Sequence, residues 1–403
     1  MEMEMPDRNL FQSDMTIMTG MTPRDPMAGM AEAPTPRWRL MVLGVARLAY
    51  NDQGGPSGAE AIESSNWSMI HFGRPLGRGR VSLMMMNSLE PWTYEKLGSP
   101  ELFQTGESLR ERPLVDRQHP HDLFMNLSAT WRTPIGSDSA VWIQLAPVGE
   151  PAIGPTAFMH RASSGENPTA PLGHHWQDAT HITYNVVTSG FGWKWLSIEG
   201  SAFHGAEPDE DRFDIDGGAI DSAAGRVKLW LPAGWSAQAS YALLNEPEAL
   251  EEGDTRRTTA SIHYGAEGDR PFAATLLWGR NDEEHGISDS LLLEAAWQAT
   301  AADHMYGRAE WVEKDRRLLQ FKAAEVTPAI DLPEIAEIGA LTLGYLRDFV
   351  LARAIRVGAG ADLTVYQFPS ELEPVYGDSP VSWHVFLRVR WGEPHVRTAE
   401  HGH

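Results

Sequence analysis

Pro380-Val381-Ser382-Trp383-His384-Val385-Phe386-Leu387-Arg388-Val389-Arg390-Trp391-Gly392 alternates residue by residue. Successive side chains of a strand point to opposite faces. One face therefore carries Trp383, Val385, Leu387, Val389 and Trp391, and the other Ser382, His384, Phe386, Arg388 and Arg390. The eight steps between the tryptophans cover roughly 26 Å at about 3.3 Å per residue. Tilted by about 40°, the strand spans roughly 20 Å, near the apolar belt between the aromatic girdles of an outer-membrane barrel. A soluble barrel with its apolar face inward fits this one strand equally well. The rest of the chain has to decide.

Working outward, period-2 runs recur from Trp38 onward between Gly, Pro, Asn and Asp clusters. Sixteen are readable: 38–50, 64–74, 79–91, 121–133, 140–146, 178–188, 192–204, 220–231, 235–245, 255–264, 271–280, 287–299, 304–314, 336–350, 354–368 and 380–392. Short connections such as 75–78, 189–191 and 232–234 alternate with generally longer ones, among them 51–63, 92–120, 147–177, 205–219, 246–254 and 281–286. Tight turns on one side and long loops on the other are the habit of an up-and-down outer-membrane barrel. A β-propeller has no reason to alternate in this way, and the sequence shows no internal repeat.

The faces repeat as well. Leu123, Met125, Leu127, Ala129 and Trp131 oppose Phe124, Asn126, Ser128, Thr130 and Arg132; Val227, Leu229 and Leu231 oppose Arg226 and Lys228; Trp235, Ala237, Ala239, Tyr241 and Leu243 oppose Ser236, Gln238 and Ser240. A sixteen-stranded sheet with such small side chains on its apolar face cannot fill its own interior, because barrels of that size leave an aqueous channel. The polar face is thus expected to line water and the apolar face to meet lipid. The competing architecture is a large soluble β-sandwich or two tandem β domains, whose strands also alternate.

Composition narrows the function classes. Of 403 residues, 33 are basic and 55 acidic, a formal charge of −22 that argues against a nucleic-acid partner. The absence of cysteine excludes disulfides, thiolate metal sites and Cys nucleophiles. No run approaches the roughly 20 apolar residues of a spanning helix. The first 35 residues show no basic start followed by an apolar core, which leaves the export route open. Three segments are expected: a flexible Met-rich arm over 1–36, a single barrel domain over 37–393 and a polar tail over 394–403.

Two long loops carry the candidate chemistry. The 92–120 loop runs out through Asp116-Arg117-Gln118-His119-Pro120-His121-Asp122; the 147–177 loop holds Met159-His160-Arg161 and leaves through His174-His175-Trp176-Gln177-Asp178, with His181 three residues on. Together they place His119, His121, His160, His174, His175 and His181 at neighbouring strand mouths, near Asp116, Asp122 and Asp178. Imidazole with carboxylate suits zinc, copper or nickel. No fixed-spacing metalloprotease signature is present, and loop histidines also serve simply to hydrogen-bond and shape a constriction. The arm holds eight of the sixteen methionines, among them Met15, Met18 and Met21, thioether donors of the kind that select Cu(I). His395, His401 and His403 form either a further metal-binding end or a plain polar one. Glu207, Asp209, Glu210 and Asp211 read as a solvated outer loop. No G-x-S-x-G elbow marks a hydrolase, and the chain is read as no enzyme.

At DRQHPHD (116–122), GPTAFMHRASSGENP (154–168) and PLGHHWQDATH (171–181) the sequence resembles a largely uncharacterised family of bacterial outer-membrane barrels, associated with copper and heavy-metal resistance genes. The resemblance runs from about residue 38 to 391. It implies an envelope location and a connection to metals, and assigns no ligand residues.

The expectation is therefore an all-β, sixteen-stranded transmembrane barrel with long loops folded toward its lumen. It would meet outer-membrane lipid and pass small solutes or metal ions, with Arg226, Lys228, Arg308, Glu310, Arg388 and Arg390 lining the lumen, either tuning ion selectivity or pairing among themselves. The alternatives are an envelope protein that sequesters Cu or Zn, and an outer-membrane enzyme. Solute, metal and oligomeric state are not legible.

Overall fold

The structure, a computed structural model, describes residues 38–109, 112–248, 253–317, 319, 333–352 and 354–392. The expected arm with Met15, Met18 and Met21, and the tail with His395, His401 and His403, lie outside the described residues.

One antiparallel sheet of seventeen strands dominates. Its four-residue Glu60–Glu63 strand merely continues Asn66–Leu76 along the same neighbour, Arg39–Gln53, so the barrel is sixteen-stranded. Closure comes from Arg39–Gln53 pairing with the final strand, Val381–Trp391, in the register Leu48 to Leu387 and Ala49 to Phe386. All sixteen expected runs hold a strand. The 281–286 connection is the exception among the loops. Its strands extend to Glu283 and restart at Gly286, which pair across a two-residue turn.

The alternation is resolved with the apolar face outward. Along Val381–Trp391, Val385, Leu387 and Val389 are exposed, while Ser382, His384, Phe386 and Arg388 are buried. Exposed Trp131, Trp193, Trp195, Trp235 and Trp297 each sit beside a short turn, forming an aromatic girdle at that end. Water would not tolerate a continuous apolar band of this kind around a monomeric barrel; hydrocarbon does. One residue departs from the face reading. A β-bulge opposite Met86 and Asn87 inserts Met125 as an extra residue, and it turns inward into a cluster with Leu43, Met69 and Tyr184.

The interior departs further from expectation. Side chains of a water-filled channel stay reachable by solvent, yet Ser290, Lys314 and Arg388 on the inner wall are 0% exposed. The polar wall lines protein rather than water. The 92–120 loop contains a two-stranded hairpin, Ser99–Leu109 with Arg112–Gln118, and the segment 150–182 crosses the lumen through short helical turns at Phe158–His160 and His174–Gln177.

Candidate functional site

A backbone threaded through a barrel buries N–H and C=O groups that must find partners. The inner wall supplies them. On one side Arg226 donates to the Ile153 and Gly154 carbonyls, Ser201 Oγ accepts from Ala152 N–H and Ser240 Oγ from Gly154 N–H. Across the lumen Arg308 donates to the Thr169 and Ala170 carbonyls at 3.1 and 3.0 Å, and Lys314 to Leu172 O at 2.9 Å. Glu310 accepts Leu172 N–H at 2.6 Å, and Arg47 donates to Gly165 O, also at 2.6 Å. Gly279 lets the plug touch the wall, since a Cβ there would stand 2.2 Å from Trp176 O.

Ion pairs reinforce these contacts. Arg161, on the plug, binds Asp178 beside it and Glu294 on the wall, the latter at 2.7 Å. Arg388 binds Glu166 of the plug and Asp348 of the wall, and Arg390 reaches Glu166 at 3.3 Å. Lys228 pairs with Glu199 at 3.4 Å. The six charged residues read as lumen-lining thus all lie inside the barrel, and five of them hold the plug directly.

Both loops converge on a histidine cluster. His119 and His121 come from the segment leaving the hairpin, His174 and His175 from one helical turn, and His181 from the next. Their rings form a closed circuit with centroid separations of 6.2 Å (119 to 121), 5.3 Å (121 to 181), 5.2 Å (181 to 174), 5.5 Å (174 to 175) and 6.4 Å (175 to 119). A small cavity between them is lined by His119, His174, His175, His181, Glu207 and Arg212.

Four of the five rings are oriented through Nδ1. His119 Nδ1 faces Pro120 O, His121 Nδ1 faces Glu90 Oε2 at 2.7 Å, His174 Nδ1 faces Asp178 Oδ1 at 2.7 Å and His181 Nδ1 faces Asp178 O. These oxygens accept, so each Nδ1 carries the hydrogen and the ring's lone pair is on Nε2. An acceptor of this kind on the other ring nitrogen, often a carboxylate, typically accompanies a metal-ligating histidine. Burial, and after it Arg212, lowers His119 well below the ordinary imidazole range; burial, and after it the neighbouring histidines, does the same to His181, and burial also lowers His174. Burial works against the Asp178 carboxylate, but Arg161 and His174 hold it below its usual range.

Three sequence expectations need correction. His160 stands outside the circuit, its ring 4.5 Å from Trp67, and burial takes its imidazole down to about 3. Asp116 turns away too, accepting Phe103 N–H at 2.7 Å. Glu207 is not part of a solvated cluster: Asp209, Glu210 and Asp211 are exposed, but Glu207 folds in to 3.4 Å from His175 Nδ1. With Glu248 and His175 it forms a group whose ligand atoms all lie within 4.8 Å. Sequence reading missed Glu90, Glu207 and Glu248 as companions of the histidines. Glu207 and Glu248 lie on different loops from the imidazole they face, and Glu90 shares a connection with His121 but stands 31 residues before it, so no spacing signals them.

No protein-family model and no curated protein matches the chain. Among solved structures it is similar to an anion-selective porin from Comamonas acidovorans, 9% identical with a TM-score of 0.50, over 88% of this chain and 100% of that one. It is similar to OmpT, an outer membrane protein of Vibrio cholerae, at 8% identity and a TM-score of 0.50, over 90% and 100%. OprB of Pseudomonas putida matches at 8% and 0.52, over 88% and 94%. The chain has the fold of the outer-membrane porins. Identity this low speaks for the fold alone, so what this barrel does must come from its own plug and wall.

Proposed function

We propose that the protein is a loop-gated conduit of the outer membrane, passing small solutes when the 150–182 segment shifts off the lumen wall. The observation that carries this reading is how the plug is attached. Its backbone is met by wall cations and hydroxyls, groups that exchange protein partners for water at modest net cost. A sixteen-stranded barrel freed of its plug has room for an aqueous channel. Planar-bilayer recording tests the reading. Wild type should show infrequent openings, and a variant lacking residues 155–172 a steady conductance. A folded barrel without that segment that still conducts nothing would defeat it.

A second reading, metal capture in the envelope, is favoured by the closed circuit of five imidazoles whose Nδ1 atoms are largely engaged. Copper and zinc are the ions suited to these donors, in keeping with the resistance-associated barrels that the loop motifs resemble. Met15, Met18 and Met21 join this proposal as soft donors for Cu(I).

A further inference from the structure

Among the histidine–carboxylate contacts around the cavity, two behave alike and one does not. His121 and Glu90 close to 2.7 Å, as do His174 and Asp178. His175 instead stands 3.4 Å from Glu207 Oε1 and 3.8 Å from Glu248 Oε1. His175 Nδ1 and Glu207 Oε1 are both buried, and neither makes a hydrogen bond among the described residues. An imidazole Nδ1–H beside two carboxylates would be expected to close onto one of them, as its neighbours do.

The open spacing has a simple chemical counterpart. Two ligand atoms at roughly 2.0–2.2 Å from a tetrahedral zinc ion stand about 3.4 Å apart. The ring is fixed for such a role, because the hairpin backbone presses on it at Gly106, where a Cβ would come within 2.3 Å of the imidazole. Arg257 acts on the Glu207 carboxylate and offsets part of the negative charge that the two glutamates bring together.

We propose that His175 Nδ1, Glu207 Oε1 and Glu248 Oε1 form a divalent transition-metal site that ties three separate loops together over the lumen. His175 belongs to the plug, Glu207 to the connection after the strand Leu196–His204, and Glu248 to the one after Trp235–Leu244. One imidazole with two carboxylates suits zinc and its borderline neighbours better than the thiophilic Cu(I). A bound ion would cross-link the plug to the outer loops and so favour the closed state. The inference rests on the metal-capture reading and adds to it a ligand set and a consequence. It does not depend on whether solutes pass.

The test is a titration of the folded full-length protein in detergent, stripped with a chelator, using zinc chloride alone and following heat and bound-metal stoichiometry. One equivalent should bind. Glu207→Gln and Glu248→Gln, which keep side-chain volume, should each weaken binding by at least about ten- to hundredfold, the loss typical even of groups that only hydrogen-bond to a metal ligand. Asp209→Asn, in the exposed acidic loop, should bind as wild type does. Zinc should also slow proteolysis of the 205–221 connection in wild type and not in Glu207→Gln. Binding that survives both glutamine variants but is lost in His119→Ala/His121→Ala would overturn the three-loop site and leave metal capture standing. No saturable binding would overturn both.

Discussion

Replacing Arg161 by methionine removes the charge that pins the plug to the wall while keeping most of the side chain's length. The guanidinium is 2% exposed. It donates to Glu294 Oε1 at 2.7 Å, to the Thr156 carbonyl at 3.1 Å and to Asp178. Without it Glu294 keeps Ser163 at 2.9 Å and Arg308 at 3.5 Å, and Asp178 keeps His174. Both carboxylates are almost wholly buried, so solvent gives them little screening where they stand. Breaking a buried pair by removing one member costs about 3–5 kcal/mol. If that cost falls on the plugged state, the balance between plugged and displaced loop moves by roughly two to three and a half orders of magnitude, at about 1.4 kcal/mol per factor of ten. The displaced state escapes the penalty because the carboxylates then meet water. Arg161 lies outside the strands of the sheet, so the barrel itself should still close. The assay is open probability in planar bilayers, with proteolysis of the 150–182 segment alongside. A folded Arg161→Met barrel with wild-type open probability and wild-type protease resistance would refute the clamp.

Lys314→Met should loosen both loops at once, since Lys314 donates to Thr105 Oγ1 of the hairpin and Leu172 O of the plug, each at 2.9 Å; with acceptors left buried, the expected loss is about 1–3 kcal/mol, read as faster proteolysis near residues 105 and 172. Leu387→Arg places a charge on the exposed apolar face and should lower folding stability in lipid vesicles by about 2–4 kcal/mol if it lies near the bilayer midplane; an unchanged denaturant midpoint would contradict the lipid-facing orientation. Gly106→Ala meets a φ of +132° and the His175 ring together, and should displace the hairpin at a cost on the order of 1–3 kcal/mol, detected as weaker zinc binding at an intact far-ultraviolet circular dichroism spectrum.

The sequence by itself determined the wall. Each membrane strand separates two environments, so every second residue is constrained the same way, and a run such as Trp383 to Trp391 declares both its conformation and its faces locally. Turn residues then mark the ends, which is why all sixteen strands were readable and only details such as the bulge at Met125 were not.

Only the tertiary structure decided what fills the wall. The hairpin at Ser99–Gln118 lies inside the lumen with protein around it, so no solvent boundary imposes an alternation to read. The histidines were visible as residue types, but their selection was not. His160 went to Trp67, and Glu207 left the acidic loop for His175. Arg161 found Glu294 across 133 residues of chain. Such pairings are set by where the closed sheet brings distant loops together, and a local pattern carries no record of that.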